Sequence, residues 1–337
     1  METKKRRAPL YVWLMEHREI PLLSVLVLLL VGVSIRVPDY LSSNYMNILK
    51  GGAINMVMAS GMLLVLLTGS IDISVASTLA FAGAVAGMMM RDGMITSIAG
   101  MLFVGIGIGA VVGAANGVLM AYGKVLPIIV TLGMSYITRA MIPMEWLLGL
   151  NKIARIDLTE DFKVFMLDNT FLTLPVLVWI SVIVVALVGL FLRFVRTGRN
   201  VYAVGSNEDA ALVRGVHVNR IKVLAHTICG ATAGLGGIMW LGYYNAIEKT
   251  TALGNEMYVI AACVLGGVSV TGGYGKMTGV VIGAVMIAVI NNAIPQLNIG
   301  NSMITEFVKG ILLLAAILLN VMLSRMASRA ELSRRNI

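Results

Sequence analysis

Residues 95–121 read ITSIAGMLFVGIGIGAVVGAANGVLMA. The stretch contains no charged residue, and a helix needs roughly 20 apolar residues to cross the hydrocarbon of a bilayer. Gly105, Gly109, Gly113 and Gly117 recur every four residues, with Gly107 between them. On a helix that spacing puts a flat ridge on one face, against which a second helix can approach closely. Gly83 and Gly87, Gly230 and Gly234, and Gly279 and Gly283 repeat the spacing. The stretch therefore reads as a membrane span packed in a tight bundle.

The rest of the chain is of the same kind. Of 337 residues 58% are hydrophobic and only 13% charged, against roughly 25% charged in a soluble domain. A soluble fold of this length could not bury that much apolar surface and still show a charged exterior, which excludes a cytosolic enzyme, a disordered chain and a disulfide scaffold. The length holds about ten crossings and little else. Spans are expected at about Pro21–Ile35, Asn47–Leu67, Val75–Met90, Ile95–Ala121, Pro127–Leu148, Phe171–Phe194, Ile221–Tyr244, Met257–Val270, Thr278–Pro295 and Ile304–Ser324. The expected fold is all-α, a polytopic helix bundle at 21–324 between tails at 1–20 and 325–337.

The net charge of +9 records topology, because Lys and Arg collect in cytoplasmic segments. Lys4, Lys5, Arg6 and Arg7 open the chain, and Arg325, Arg329, Arg334 and Arg335 close it. Both termini are expected in the cytoplasm. The loop at about 195–220 holds Arg196, Arg199, Arg214 and Arg220 against Glu208 and Asp209, and falls on the same side. The mildly acidic loop Gly149–Thr170 falls outside.

Enzyme signatures are missing. Gly275-Lys276 is followed by Met277, so no phosphate-binding loop is present. Cys229 and Cys263 lie in apolar stretches and suggest neither a disulfide nor a metal site. His17, His217 and His226 are far apart and read as interfacial polar residues. Glu145 and Glu306 are the candidate carboxylates for an ion-coupled carrier, but both fall near expected outer ends, and Glu306 and Lys309 better suit an interfacial i,i+3 ion pair.

The basic loop carries one more signal. Ser206 is placed to cap a helix with Asp209 as its partner three residues on, Glu208 and Asp209 suit the positive N-terminal end, and Gly215 can terminate the helix after Arg214. A helix of about two turns is unstable alone, so Ala210, Ala211, Leu212 and Val213 must pack on the bundle, on lipid or on a partner.

This loop resembles the coupling loop of bacterial ABC-transporter permeases of the ribose/galactose/autoinducer-2 type. Other segments match the family in order: Thr68-Gly69-Ser70-Ile71-Asp72-Ile73-Ser74-Val75; Asn116-Gly117 and Lys124 followed by Pro127-Ile128-Ile129-Val130-Thr131-Leu132-Gly133; Leu265-Gly266-Gly267-Val268-Ser269-Val270-Thr271-Gly272-Gly273-Tyr274-Gly275; and Val308-Lys309-Gly310. Ala76, Ile128 and Val268 depart from the family's usual Gly, aromatic and Thr, which bears on substrate identity.

The resemblance implies a transport subunit rather than an enzyme: one of two paired permeases in a bacterial inner membrane, with ATP and Mg held by separate ATPase subunits, no cofactor or metal on this chain, and an external binding protein delivering a monosaccharide. It implies that Ser206, Asn207, Glu208, Asp209, Ala210, Ala211, Leu212, Arg214 and Gly215 couple to the ATPase, and that the acidic outer loop helps dock the binding protein. Asp72 and Ser74, with Ser70, serve either as a helix cap or as a gate at the inner mouth. Asn116, Thr131, Ser135, Arg139, Asn255, Asn291 and Asn292 are candidates for a solute path, or else polar packing residues. No strong site within the membrane is expected, since affinity resides in the delivery protein. The competing readings are an ion-coupled secondary sugar carrier and a membrane scaffold without transport.

Overall fold

The computed structural model describes residues 19–142, 160–168 and 170–297, with isolated helical positions between 304 and 318. The described chain is helical apart from one short hairpin. Its helices are α1 (Glu19–Arg36), α2 (Tyr40–Leu67), α3 (Val75–Arg91), α4 (Ile98–Ala121), α5 (Pro127–Met141), α6 (Glu160–Lys163), α7 (Val176–Phe194), α8 (Arg196–Ser206), α9 (Glu208–Val213), α10 (Val218–Tyr244), α11 (Asn255–Leu265) and α12 (Met277–Gln296). The strands β1 (Thr170–Phe171) and β2 (Leu174–Pro175) pair antiparallel. Glu145, Glu306, Lys309, most of the acidic outer loop and most of the last expected span lie outside the described residues.

Among the described residues five helices, α2, α4, α7, α10 and α12, are long and apolar enough to cross a membrane. α2 and α10 form the centre. In its most apolar stretch α2 is 83% buried and α10 67%, whereas α4 and α7 are only 28% buried. A helix that is apolar all round and yet exposed needs an apolar surround, and α4, α5 and α7 turn Phe103, Val111, Ile129, Tyr136, Ile183 and Leu187 outward.

The glycine ridge of α4 lies on α10. A Cβ at Gly109 would strike the Gly230 carbonyl, one at Gly113 the His226 carbonyl, and one at Gly105 the Ile238 side chain. Gly230 and Gly234 meet α4 reciprocally, so the two backbones touch. Gly107 faces open space. The same device joins α3 to α10 at Gly83 and Gly237, and α11 to α12 at Gly266, Gly279 and Gly283.

Some boundaries differ from those expected, for physical reasons. α2 begins at Tyr40, well before the expected Asn47, because Tyr40 is fully buried and its hydroxyl donates to Asn292 Oδ1 at 2.8 Å. α4 begins at Ile98, where Ser97 Oγ accepts the Gly100 N–H at 3.1 Å as an N-cap. α11 stops at Leu265, and 266–275 is a glycine turn rather than the end of a span. The basic loop holds two helices, not one. α8 turns Gly198, Val201 and Val204 inward against the bundle, and the low mean hydropathy of its sequence concealed it from a search for apolar runs.

Candidate functional site

At one end of the bundle three separate sequence motifs meet. The 68–74 loop follows α2, the 266–275 turn follows α11, and α8 lies across both. The Gly273 N–H donates to the Leu67 carbonyl at 3.0 Å. The Tyr202 hydroxyl on α8 donates to the Gly275 carbonyl at 3.0 Å. Gly205 abuts the Leu67 carbonyl and the Gly273 nitrogen so closely that no side chain fits. Gly272 and Gly273 adopt φ of 93° and 74°, a region open to glycine at little cost, and this folds the turn back onto the end of α2.

α9 follows directly. Its cap is Asn207, whose Oδ1 accepts the Ala210 N–H at 2.9 Å. The expected cap, Ser206, is instead the last residue of α8, and its hydroxyl donates to the Tyr202 carbonyl at 2.8 Å. Because α8 runs through Ser206, the cap moves one residue on. Glu208 pairs with Lys222 of α10, and Ala211 is buried. Leu212 and Val213 are exposed, Val213 at 89%. Gly215, at φ 78°, ends the helix after Arg214.

Behind the junction lies a polar cluster inside the protein. Asp72 is the only buried carboxylate among the described residues. Its Oδ1 accepts the Ser74 N–H at 2.9 Å and the Ser74 hydroxyl at 2.6 Å. Asn116 of α4 donates from Nδ2 to Ser74 Oγ at 2.8 Å. His226 of α10, fully buried, places Nδ1 3.4 Å from Asp72 Oδ2, within ion-pair range but without hydrogen-bond alignment. The capping reading of Asp72 thus describes its bond to the Ser74 N–H, a local turn of the Asx kind. The contacts to α4 and α10 go further and tie the loop to two other helices. His226 is not an interfacial residue: α10 starts at Val218, so the ring sits about two turns inside the helix. The signal available in sequence was its spacing, four and eight residues before Gly230 and Gly234 on the same helix face.

The candidate path residues separate into two groups. Asn116 belongs to the polar cluster, and Thr131 on α5 is buried nearby, its hydroxyl 3.5 Å from the Ile71 carbonyl. Ser135 is half-buried, one turn further along α5. Arg139 lies beyond, where Nη1 donates to the carbonyls of Lys249 and Thr251 at 2.8 and 3.0 Å, bracing the loop between α10 and α11. Asn255, Asn291 and Asn292 come together at the opposite end, where they line a cavity of about 560 Å³ with Asn55, Trp240 and Tyr244. Among the described residues no cluster of acidic, His or Cys side chains could hold a metal ion.

The described residues thus form a bundle of apolar helices with the short helices α8 and α9 laid at one end. Over residues 44–317 the chain matches, and therefore belongs to, the family described as branched-chain amino acid transport system / permease component. It is 35% identical over 312 residues to the ribose import permease protein RbsC of Escherichia coli K12, covering 91% of this chain and 94% of that one. It is 35% identical over 301 residues to RbsC of Bacillus subtilis, covering 89% and 91%. It is 33% identical over 309 residues to the L-arabinose ABC transporter permease protein AraH of Azospirillum brasilense, covering 91% and 88%. No solved structure matches it.

Proposed function

We propose that this chain is the membrane-spanning permease subunit of an ATP-driven, binding-protein-dependent importer of a monosaccharide. The observation that carries the reading is its likeness, over about nine tenths of its length, to permeases named for ribose and L-arabinose. That likeness favours an ATP-driven importer over an ion-coupled carrier.

In this reading about ten spans cross the inner membrane of a bacterium, with the tails 1–20 and 325–337 in the cytoplasm. The chain pairs with a second permease subunit, and ATP and Mg are held by cytoplasmic ATPases. The residues from Ser206 to Gly215 seat on the ATPase, with exposed Leu212 and Val213 supplying the apolar contact. Closure of the ATPase moves α9 and α8 as one body. Tyr202 and Gly205 pass that movement to the 266–275 turn and to the end of α2. The Asp72 cluster passes it on to α4 and α10. No bond is made or broken in this subunit; its work is to convert displacement at one end into opening at the other.

The test is reconstitution in liposomes with the ATPase and the binding protein. Uptake is expected only with ATP, and Val213→Glu is expected to lower it at least about tenfold by placing a charge in an apolar contact. Uptake by this chain alone, without ATP, would reject the reading.

A further inference from the structure

We propose that the cavity between α2, α10, α11 and α12 is a selective site for a neutral, polyhydroxylated ring, built into the membrane subunit itself. The proposal rests on the importer reading and adds to it a place and a chemistry of recognition. The cavity measures about 560 Å³, within the range of small-molecule sites, about 300–1,000 Å³. Its lining contains no Asp, Glu, Lys or Arg. A zwitterion such as an amino acid would enter without counter-charges and lose its hydration, which is costly. A neutral solute does not meet that barrier.

Five of the lining residues are Asn, beside Thr250 and three Tyr, and each amide offers both donor and acceptor. Two of these amides are held in place. Asn292 Oδ1 accepts the hydroxyl of Tyr40, outside the lining, at 2.8 Å, and Asn55 Oδ1 accepts from its lining neighbour Asn255 Nδ2 at 3.4 Å. These bonds orient the amides and occupy only part of their capacity. Asn291 Oδ1 is buried with no partner, whereas buried polar atoms whose purpose is packing are ordinarily satisfied. Asn291 lines the cavity while this oxygen has almost no accessible surface, so a turn of its amide brings the oxygen to a solute hydroxyl that supplies the missing donor. Trp240 and Tyr244 stand beside these amides with ring centroids 4.4 Å apart, giving an apolar wall for the C–H face of a sugar ring. Amide donors and acceptors together with aromatic carbon in one lining match a ring that is polar at its rim and apolar on its face.

The full complex is reconstituted in vesicles with D-ribose as neutral probe and D-ribonate as its charged counterpart. In Asn291→Leu and Asn255→Leu, ATP-driven ribose uptake is expected to fall at least about tenfold (about 1.4 kcal/mol). The ratio of ribose to D-arabinose uptake is also expected to shift, which a purely structural defect would not produce. In the wild-type complex ribose, but not ribonate, is expected to quench Trp240 fluorescence, read as the difference from Trp240→Phe. This arm decides the matter should the Asn variants fail to assemble. Full uptake with an unchanged epimer ratio in both variants, or equal quenching by ribonate, would overturn this proposal alone. Absence of ATP-driven uptake in the wild type would overturn the importer reading with it.

Discussion

The Tyr202 hydroxyl donates to the Gly275 carbonyl at 3.0 Å across 73 residues of sequence. Through this contact the short amphipathic helix α8 grips the turn after α11.

Removing that hydroxyl tests the grip. Tyr202→Phe keeps the ring and its packing and forfeits a hydrogen bond of about 0.5–1.5 kcal/mol, so folding is expected to survive. The expected change is in coupling: fewer solute molecules moved per ATP hydrolysed, measured by parallel uptake and phosphate release. Burial pushes the Tyr202 phenol up from its ordinary value. The neutral, donating form therefore persists below the ordinary tyrosine pKa of about 10 and is lost only as pH rises beyond it, so the contribution of Tyr202 to coupling should stay flat from pH 7 to 9.

The Asp72 cluster should behave as a unit. Asp72→Ala removes the acceptor of the Ser74 N–H and hydroxyl, together with the carboxylate 3.4 Å from His226 Nδ1. Leaving buried donors unsatisfied in this way is expected to cost about 1–3 kcal/mol, read as earlier thermal unfolding in detergent. Asp72→Asn keeps an acceptor for Ser74 and should cost less. The double variant with His226→Leu should depart from additivity by at least about 0.5 kcal/mol. Asp72→Asn with normal transport and normal ATPase coupling would show that the carboxylate has no gating task.

The glycine ridge predicts a contrast within one helix. Gly109→Leu drives a side chain into the Gly230 backbone and is expected to prevent stable assembly, seen as lost monodispersity after solubilisation. Gly107→Ala, four-fold spacing aside, enters open space and should be neutral, or stabilising by up to about 1 kcal/mol through helix propensity.

Arg139 braces the loop that closes one wall of the cavity. One nitrogen, Nη1, serves both the Lys249 and Thr251 carbonyls, and a Lys ammonium also carries several donors. Arg139→Met is therefore expected to give faster proteolysis at 245–254 and reduced uptake, and Arg139→Lys a smaller change in both.

The membrane character and the glycine seams were legible because both are periodic signals carried by one helix at a time. What could not be read was the meeting of distant segments. Asp72 suggests a cap and makes an Asx turn to the Ser74 N–H, but nothing in residues 68–74 points to His226. Asn291 and Asn255 stand in different spans, and only the crossing of α11, α12 and α2 brings them to one cavity with Asn55. Tyr40 falls before the expected span because polar residues surround it, yet Ser42 and Asn44 bond back to the Asp39 and Tyr40 carbonyls along the first turn of α2. Ser206 and Asn207 are both good caps, and the choice between them was made by α8, whose amphipathic face a search for apolar runs passes over.

The helix α2 runs 28 residues without an internal proline, about 42 Å at 1.5 Å per residue. Its first residue holds Asn292, Asn55 lies on the cavity, and its last residue receives the Gly273 N–H. In the proposed importer this makes α2 a single strut: a displacement received at Leu67 is carried along one helix to Asn55, so that the ATPase end and the solute end share one movement.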